Sequence, residues 1–186
     1  MILYILPTPM NKLDLKQRVS GWQFVPLDKK SKGEWRTLVS QLKGRGVEYV
    51  LGSDLDEEAI RAAGDELHLP VRTERALRRF CFGEHHGKKL HAMDNILGKL
   101  EQQWKENPDI PIRHPKGGGD SLTSFMKRFS KRINHLLSLP GTALLITDPQ
   151  SIAFIRDGMT AHAIIPNGNP VRRDKVYKVS NAGTSA

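Results

Sequence analysis

Short apolar runs alternate with stretches of helical spacing along this chain. Met1 to Leu6, Val47 to Leu51 and Ala143 to Thr147 are apolar runs of strand length. Such runs, apolar at successive positions, fit strands covered on both faces. Trp35 to Lys43 and Glu57 to Leu67 carry the three- and four-residue spacing of helices. The clearest helix is Asp120 to Leu139, where Leu122, Phe125, Phe129, Ile133 and Leu136 form one stripe. Lys127, Arg128, Lys131 and Arg132 lie mainly off that stripe. Gly117, Gly118 and Gly119 lead into it, and Pro140 with Gly141 ends it. Strands and helices in alternation predict an α/β fold with a mostly parallel sheet between helices.

Asn107 to Gly119, rich in proline and glycine, reads as a loop. Residues 1–180 are expected to form one domain, and Asn181 to Ala186 a flexible tail. With 186 residues, 38% of them apolar, the chain can close one core and is short for two. Met1 to Leu6 stops at Pro7 without a basic leader, so it is expected as a buried strand and not as a signal peptide. No run reaches membrane-spanning length. A single cysteine, Cys81, forms no internal disulfide, which favours a reducing, cytoplasmic setting.

A formal charge of +9 draws the chain toward polyanions, so a nucleic acid or an acidic protein is the expected kind of partner. The basic residues gather at Arg72, Arg75, Arg78 and Arg79, at Lys127, Arg128, Lys131 and Arg132, and at Arg172, Arg173, Lys175 and Lys178. Of these, Lys127, Arg128, Lys131, Arg132, Arg172 and Arg173 are the candidates for a polyanion track. The plainer reading is a helix showing its solvated face. Trp22, Trp35 and Trp104 are not interleaved with these clusters, which argues against single-strand stacking. Cys81, His85, His86 and His91 lie close in sequence but lack the paired spacing of a zinc frame. The Gly117–Gly119 run lacks the preceding strand and the lysine of a phosphate-binding loop. No metal and no cofactor is predicted.

Arg18-Val19-Ser20-Gly21-Trp22, followed by Val25-Pro26-Leu27, resembles the opening of the histidine phosphatases, the phosphoglycerate-mutase-like superfamily. Further resemblances follow in family order. Gly52-Ser53-Asp54-Leu55 is similar to the family's Ser-Ser-Asp-Leu, and Leu77 to Gly83 with Gly87 to its Leu-x-Glu segment. Gly118 to Leu122 resembles its Gly-Gly-Glu-Ser-Leu helix start, Ala143 to Ile152 its last catalytic strand and turn, and Ile165 to Pro170 its closing motif. The resemblance implies a three-layer α/β/α sandwich with its pocket at the carboxyl ends of the strands.

In that family a histidine attacks phosphorus, arginines and a second histidine neutralise the phosphoryl oxygens, and a carboxylic acid protonates the leaving group. The resemblance places other residues at those positions. Its Arg-His-Gly falls on Pro7, Thr8 and Pro9, its second arginine on Glu57 or Glu58, its second histidine on Asp148 and its acid on Arg79. Asp14 joins them as a further degenerate pocket position. The charges are thus largely inverted. A carboxylate about 4 Å from a phosphate repels it by roughly 4 kcal/mol at an effective dielectric near 20. Arg79 is expected to pair with Asp148 or Glu57, since a buried charge needs a partner. Pro7 and Pro9 also remove amide donors from the turn, which reads either as a rigid strand exit or as a rebuilt catalytic loop.

Three functions follow. The first is a catalytically inactive relative serving as a binding protein. The second is an enzyme with catalysis moved to Asp148, Glu57, Thr8 or the His85-His86 pair. The third is a basic assembly or nucleic-acid-associated subunit.

Overall fold

A computed structural model describes residues 1–112, 119–159, 171–180 and 183–185. Six strands form one sheet: β1 (Ile2–Pro7), β2 (Tyr49–Gly52), β3 (Val71–Thr73), β4 (Thr142–Thr147), β5 (Tyr177–Ser180) and β6 (Gly183–Ser185). Their spatial order is β3-β2-β4-β1-β5-β6. The first four run parallel, β5 is antiparallel to β1, and β6 is antiparallel to β5. The tail expected to be flexible therefore supplies an edge strand, because Gly183 to Ser185 find hydrogen-bonding partners along β5. Asn181, Ala182 and Ala186 lie outside the described residues.

Both faces of the sheet are covered, which explains the continuous apolar runs. Leu3, Ile5, Ala143 and Leu145 face a cluster with Phe125, Phe129, Ile133, Leu136, Ile152 and Phe154. Leu6, Val50, Leu144 and Ile146 face the other way, onto Trp35, Val39, Ala59, Ile60 and Ala63. The period-two geometry of a strand thus sends alternate residues of β1 and β4 into separate cores. The helices on one side are α2 (Lys29–Ser40) and α3 (Glu57–Leu67). On the other are α5 (Leu122–Ser138) and α6 (Pro149–Arg156). The result is the expected α/β/α sandwich.

Helix α3 occupies the predicted range, and α5 starts and stops within two residues of it. Ser121 caps α5 in a reciprocal box with Ser124. The short α1 (Lys12–Leu15) begins at Asn11, whose side chain accepts from the amides of Leu13 and Asp14. Sequence reading does not anticipate α4 (Leu90–Glu106). Its buried residues Met93 and Trp104 belong to a thinner apolar stripe, and the basic lead-in at Lys88 and Lys89 disguises its start. Gly119 has a structural reason to be glycine: a Cβ there would lie 1.9 Å from the Ile112 carbonyl oxygen. Gly117 and Gly118, and the motif Ile165 to Pro170, lie outside the described residues.

Candidate functional site

The carboxyl ends of β1 and β4 lie side by side, with Pro7 opposite Thr147. The Thr8 amide extends the ladder by donating to the Thr147 carbonyl at 2.8 Å. The turn Pro7-Thr8-Pro9 is held from both sides. Trp35 of α2 donates its indole N–H to the Pro7 carbonyl at 2.7 Å. Arg173 donates to the Thr8 carbonyl at 2.6 Å and approaches Asp14 at 3.4 Å. Asp14 also accepts from the Asn11 amide at 3.1 Å, closing the α1 capping box. Thr8 is buried.

Asp148 follows β4 and caps α6. One carboxylate oxygen accepts from the amides of Gln150 at 3.0 Å and Ser151 at 3.1 Å, and the other from the Ser151 hydroxyl at 2.5 Å. Pro149 sits in the first turn, where its missing N–H costs nothing. Local sequence thus explains Asp148 fully as a helix cap.

Arg79 enters from the loop after β3, and its side chain is only 11% exposed. Its ion-pair partner is Asp56, 5% exposed, and not Asp148 or Glu57. The same guanidinium donates to the Ser20 hydroxyl at 2.8 Å, and Asp56 accepts from the Ser53 hydroxyl at 2.8 Å. Burial pushes the Asp56 carboxyl up, with Arg79 opposing that rise. Burial works against the charge on Arg79, but Asp56, Asp148 and Asp14 outweigh it and raise its pKa.

Glu57, expected in the pocket, instead pairs with Arg61 one turn along the exposed face of α3. Glu58 is the one that lines the cleft. It accepts from the Leu27 amide at 3.1 Å and from Lys32 at 3.0 Å. The difference arises in the 3₁₀ turn Asp54–Asp56, which precedes α3. A turn with three residues per revolution changes which side chain faces inward, and a position-by-position reading steps past Asp56. The signal available in sequence was Ser53, three residues before Asp56, which caps that turn.

A small cleft open to solvent lies over this corner. Thr8, Asn11, Phe24, Leu55, Asp56, Glu58 and Arg79 are among its lining residues. It gathers Thr8, Pro9, Glu58 and Arg79 from the expected set, while Asp148 and Asp14 act on Arg79 through their charges.

The basic clusters resolve differently. Arg128 donates to the carbonyls of Ala76 and Arg78 and pairs with Asp120 at 3.0 Å. Arg132 forms a two-pronged bond to Glu74, and Arg78 another to Asp54. Arg172 pairs with Asp174 on the surface, and Arg173 is drawn into the corner. Lys127 and Lys131 are exposed. The predicted polyanion track is therefore largely a set of internal ties, because each of these arginines found a carboxylate or carbonyl.

Cys81 is buried, and its sulfur lies 3.9 Å from His86 Nε2, which also accepts from the Trp22 amide at 3.3 Å. Burial pushes the Cys81 thiol up. His85 contacts Lys88 at 3.0 Å, and burial followed by that lysine lowers its pKa. His91 is exposed. Among the described residues no cluster of His, Cys, Asp and Glu could hold a metal, and no helix is long and apolar enough to cross a membrane.

The profile of the "Histidine phosphatase superfamily (branch 1)" matches residues 10–162. Solved structures share the fold across almost the whole chain. TTHB049 from Thermus thermophilus is 19% identical, with a TM-score of 0.72, covering 100% of this chain and 98% of that one. YhfR from Bacillus stearothermophilus is 15% identical, with a TM-score of 0.75, covering 99% and 94%. A mycobacterial glucosyl-3-phosphoglycerate phosphatase, solved with VO3, is 16% identical, with a TM-score of 0.72, covering 96% and 90%. No protein with a curated description matches the chain in sequence.

Proposed function

The chain belongs to the histidine phosphatase superfamily, branch 1, and from that membership we infer that it is a catalytically inactive relative acting as a binding protein. One observation carries this reading: an internal ion pair, Arg79 with Asp56, occupies the floor of the cleft beside Thr8. An arginine there is positive where the family chemistry needs a proton donor, and its proton is held more firmly than usual.

The surrounding residues agree. Asp148 is directed at the amides of its own helix, so its negative charge is already balanced there. An approaching phosphate would meet Glu58 and an arginine, Arg79, whose charge is already answered by Asp56, and such an arrangement disfavours binding. The Pro7 and Pro9 positions provide no amide to a phosphoryl oxygen. These features favour loss of phosphoryl transfer over its relocation. Relocation to Glu57 is disfavoured further, because that side chain lies on the surface with Arg61.

A second reading, retained phosphatase activity, draws on a structural neighbour that is itself a phosphatase. One experiment separates the two: hydrolysis of a chromogenic phosphomonoester, with orthovanadate titration followed by thermal shift and an active superfamily member as control. The expected result is neither turnover nor vanadate stabilisation. Turnover that persists through purification and disappears in Asp148→Ala would replace the first reading with the second.

A further inference from the structure

Two segments that are distant in sequence adjoin beside the cleft. The Val19 amide donates to the Lys88 carbonyl at 2.9 Å, Gly87 to Val19 at 2.8 Å, and Leu90 to Gln17 at 2.7 Å. Arg18 and Lys89 form an antiparallel bridge, and the Arg18 guanidinium donates to the Gly87 carbonyl at 2.6 Å. On the other flank, Asn11 bridges Leu27, and the Lys12 amide donates to the Pro26 carbonyl. Residues 11–19 thus join the loop that carries Phe24 to the segment that starts α4.

The exposed side chains of these joined segments are mainly apolar and basic. Leu15 is 50% exposed, Phe24 63% and Leu90 51%, and they are three of the four large apolar side chains exposed among the described residues. Around them stand Lys12, Lys16, Arg18, Lys88 and Lys89. Among the described residues these five cations form no ion pair with a carboxylate, whereas the arginines of α5 and of the cleft all do. The acids carried by the same segments do not answer them: Asp14 is turned to Asn11 and Arg173, and Glu84 acts on His85. Exposed apolar side chains on segments joined by backbone hydrogen bonds, among cations without carboxylate partners, are the composition of a binding surface.

We propose that this face, built from residues 11–24 and 84–90, docks an acidic, amphipathic segment of a partner protein. Leu15, Phe24 and Leu90 would serve as its apolar anchors, and the lysines as its charge-matching rim. The apolar anchors decide against nucleic acid. Leucines offer nothing to phosphates, and the nearby Trp22 is already engaged by the guanidinium groups of Arg78 and Arg128. The proposal deepens the binding-protein reading and rests on it for its physiological meaning, and the surface shares Phe24 with the cleft lining.

The test uses the full chain and four probes: a helical Glu/Leu peptide, a polyglutamate peptide of equal length, a single-stranded oligonucleotide, and vesicles of phosphatidylserine and phosphatidylcholine. The Glu/Leu peptide should bind most tightly. Lys16→Glu with Lys89→Glu should weaken it by about tenfold or more, and Leu15→Ser with Leu90→Ser by about tenfold. The leucine pair should leave polyglutamate binding unchanged, and Lys127→Glu with Lys131→Glu should change neither. All these side chains are exposed, and an unchanged melting temperature checks the fold. Binding of the Glu/Leu peptide that ignores the leucine pair would overturn the proposal, as would tighter binding of the oligonucleotide or the vesicles. Phosphomonoester turnover on the same preparations separates the two ideas. Docking together with turnover removes the inactive reading alone, and an absence of both removes the docking surface alone.

Discussion

The belt of arginines formed by Arg78 with those of α5, and the corner at the ends of β1 and β4, both set guanidinium groups against carboxylates, but in different ways. In the belt each arginine has its own acid: Arg78 with Asp54, Arg128 with Asp120 and Arg132 with Glu74. Except for the buried Asp120, these side chains are part-exposed, and they tie the loop after β3 to the helix layer. In the corner a single buried arginine faces Asp56 and feels Asp148 and Asp14 as well. A part-exposed pair is worth little and can be lost. A buried pair must remain whole, since either partner alone is an uncompensated charge in a poor solvent. The belt fastens two layers together, and the corner fills a space.

The sharpest way to break this contrast is to remove Arg79. Arg79→Met should destabilise the chain by about 3–5 kcal/mol, read from the urea unfolding midpoint. The double variant with Asp56→Leu should recover most of that loss. A single-variant loss below about 1 kcal/mol would place the pair in solvent, like the belt. Next in size is Asp148→Ala, which removes the α6 cap. It should lower stability by about 1–2 kcal/mol, while Asp148→Asn keeps more than half of the difference. A change close to zero would mean that the cap geometry is not what holds Asp148.

The smallest effect belongs to the belt and shows as a loss of stability in acid. The hydrogen bond from Arg78 holds the Asp54 carboxyl below its ordinary value, though burial opposes this. Its folded pKa is therefore lower than its unfolded one, so the unfolded chain takes up the proton first as pH falls. The contribution is complete above the usual carboxylate range, about 3.9 for Asp, and is lost as pH drops through the depressed folded value. Arg78→Gln should flatten that part of the acid unfolding curve, by less than about 1 kcal/mol for a pair this exposed. An unchanged curve would show that the belt adds nothing measurable.

The two regions also differ in how far sequence reveals them. The layers were legible, because β1 and β4 are buried on both faces and α5 shows a wide apolar stripe. Helix α4 was hidden by the lysines at its start. The identity of the cleft was legible through Thr8 and Arg79, but Arg79's partner was not. Asp56 sits in a 3₁₀ turn, where neither helical nor strand period indicates an inward face. Asp148 was legible as an acid near the site, while its role needed the local reading that Asp-Pro before a helix is a cap. The arginines of the belt misled for a different reason: composition records charge, and only packing records which charges are already answered.

Trp35 reaches from α2 to hold the Pro7 carbonyl, within the turn that sets Thr8 in the cleft lining. That contact makes the chain its own optical reporter. An indole clamped to the strand exit emits from a fixed, buried setting, and any molecule that shifts the Pro-Thr-Pro turn must also move its carbonyl relative to the ring. With Trp22 and Trp104 replaced by phenylalanine, occupancy of the cleft would then be visible as a change in the colour or lifetime of Trp35 emission, without a dye or a label.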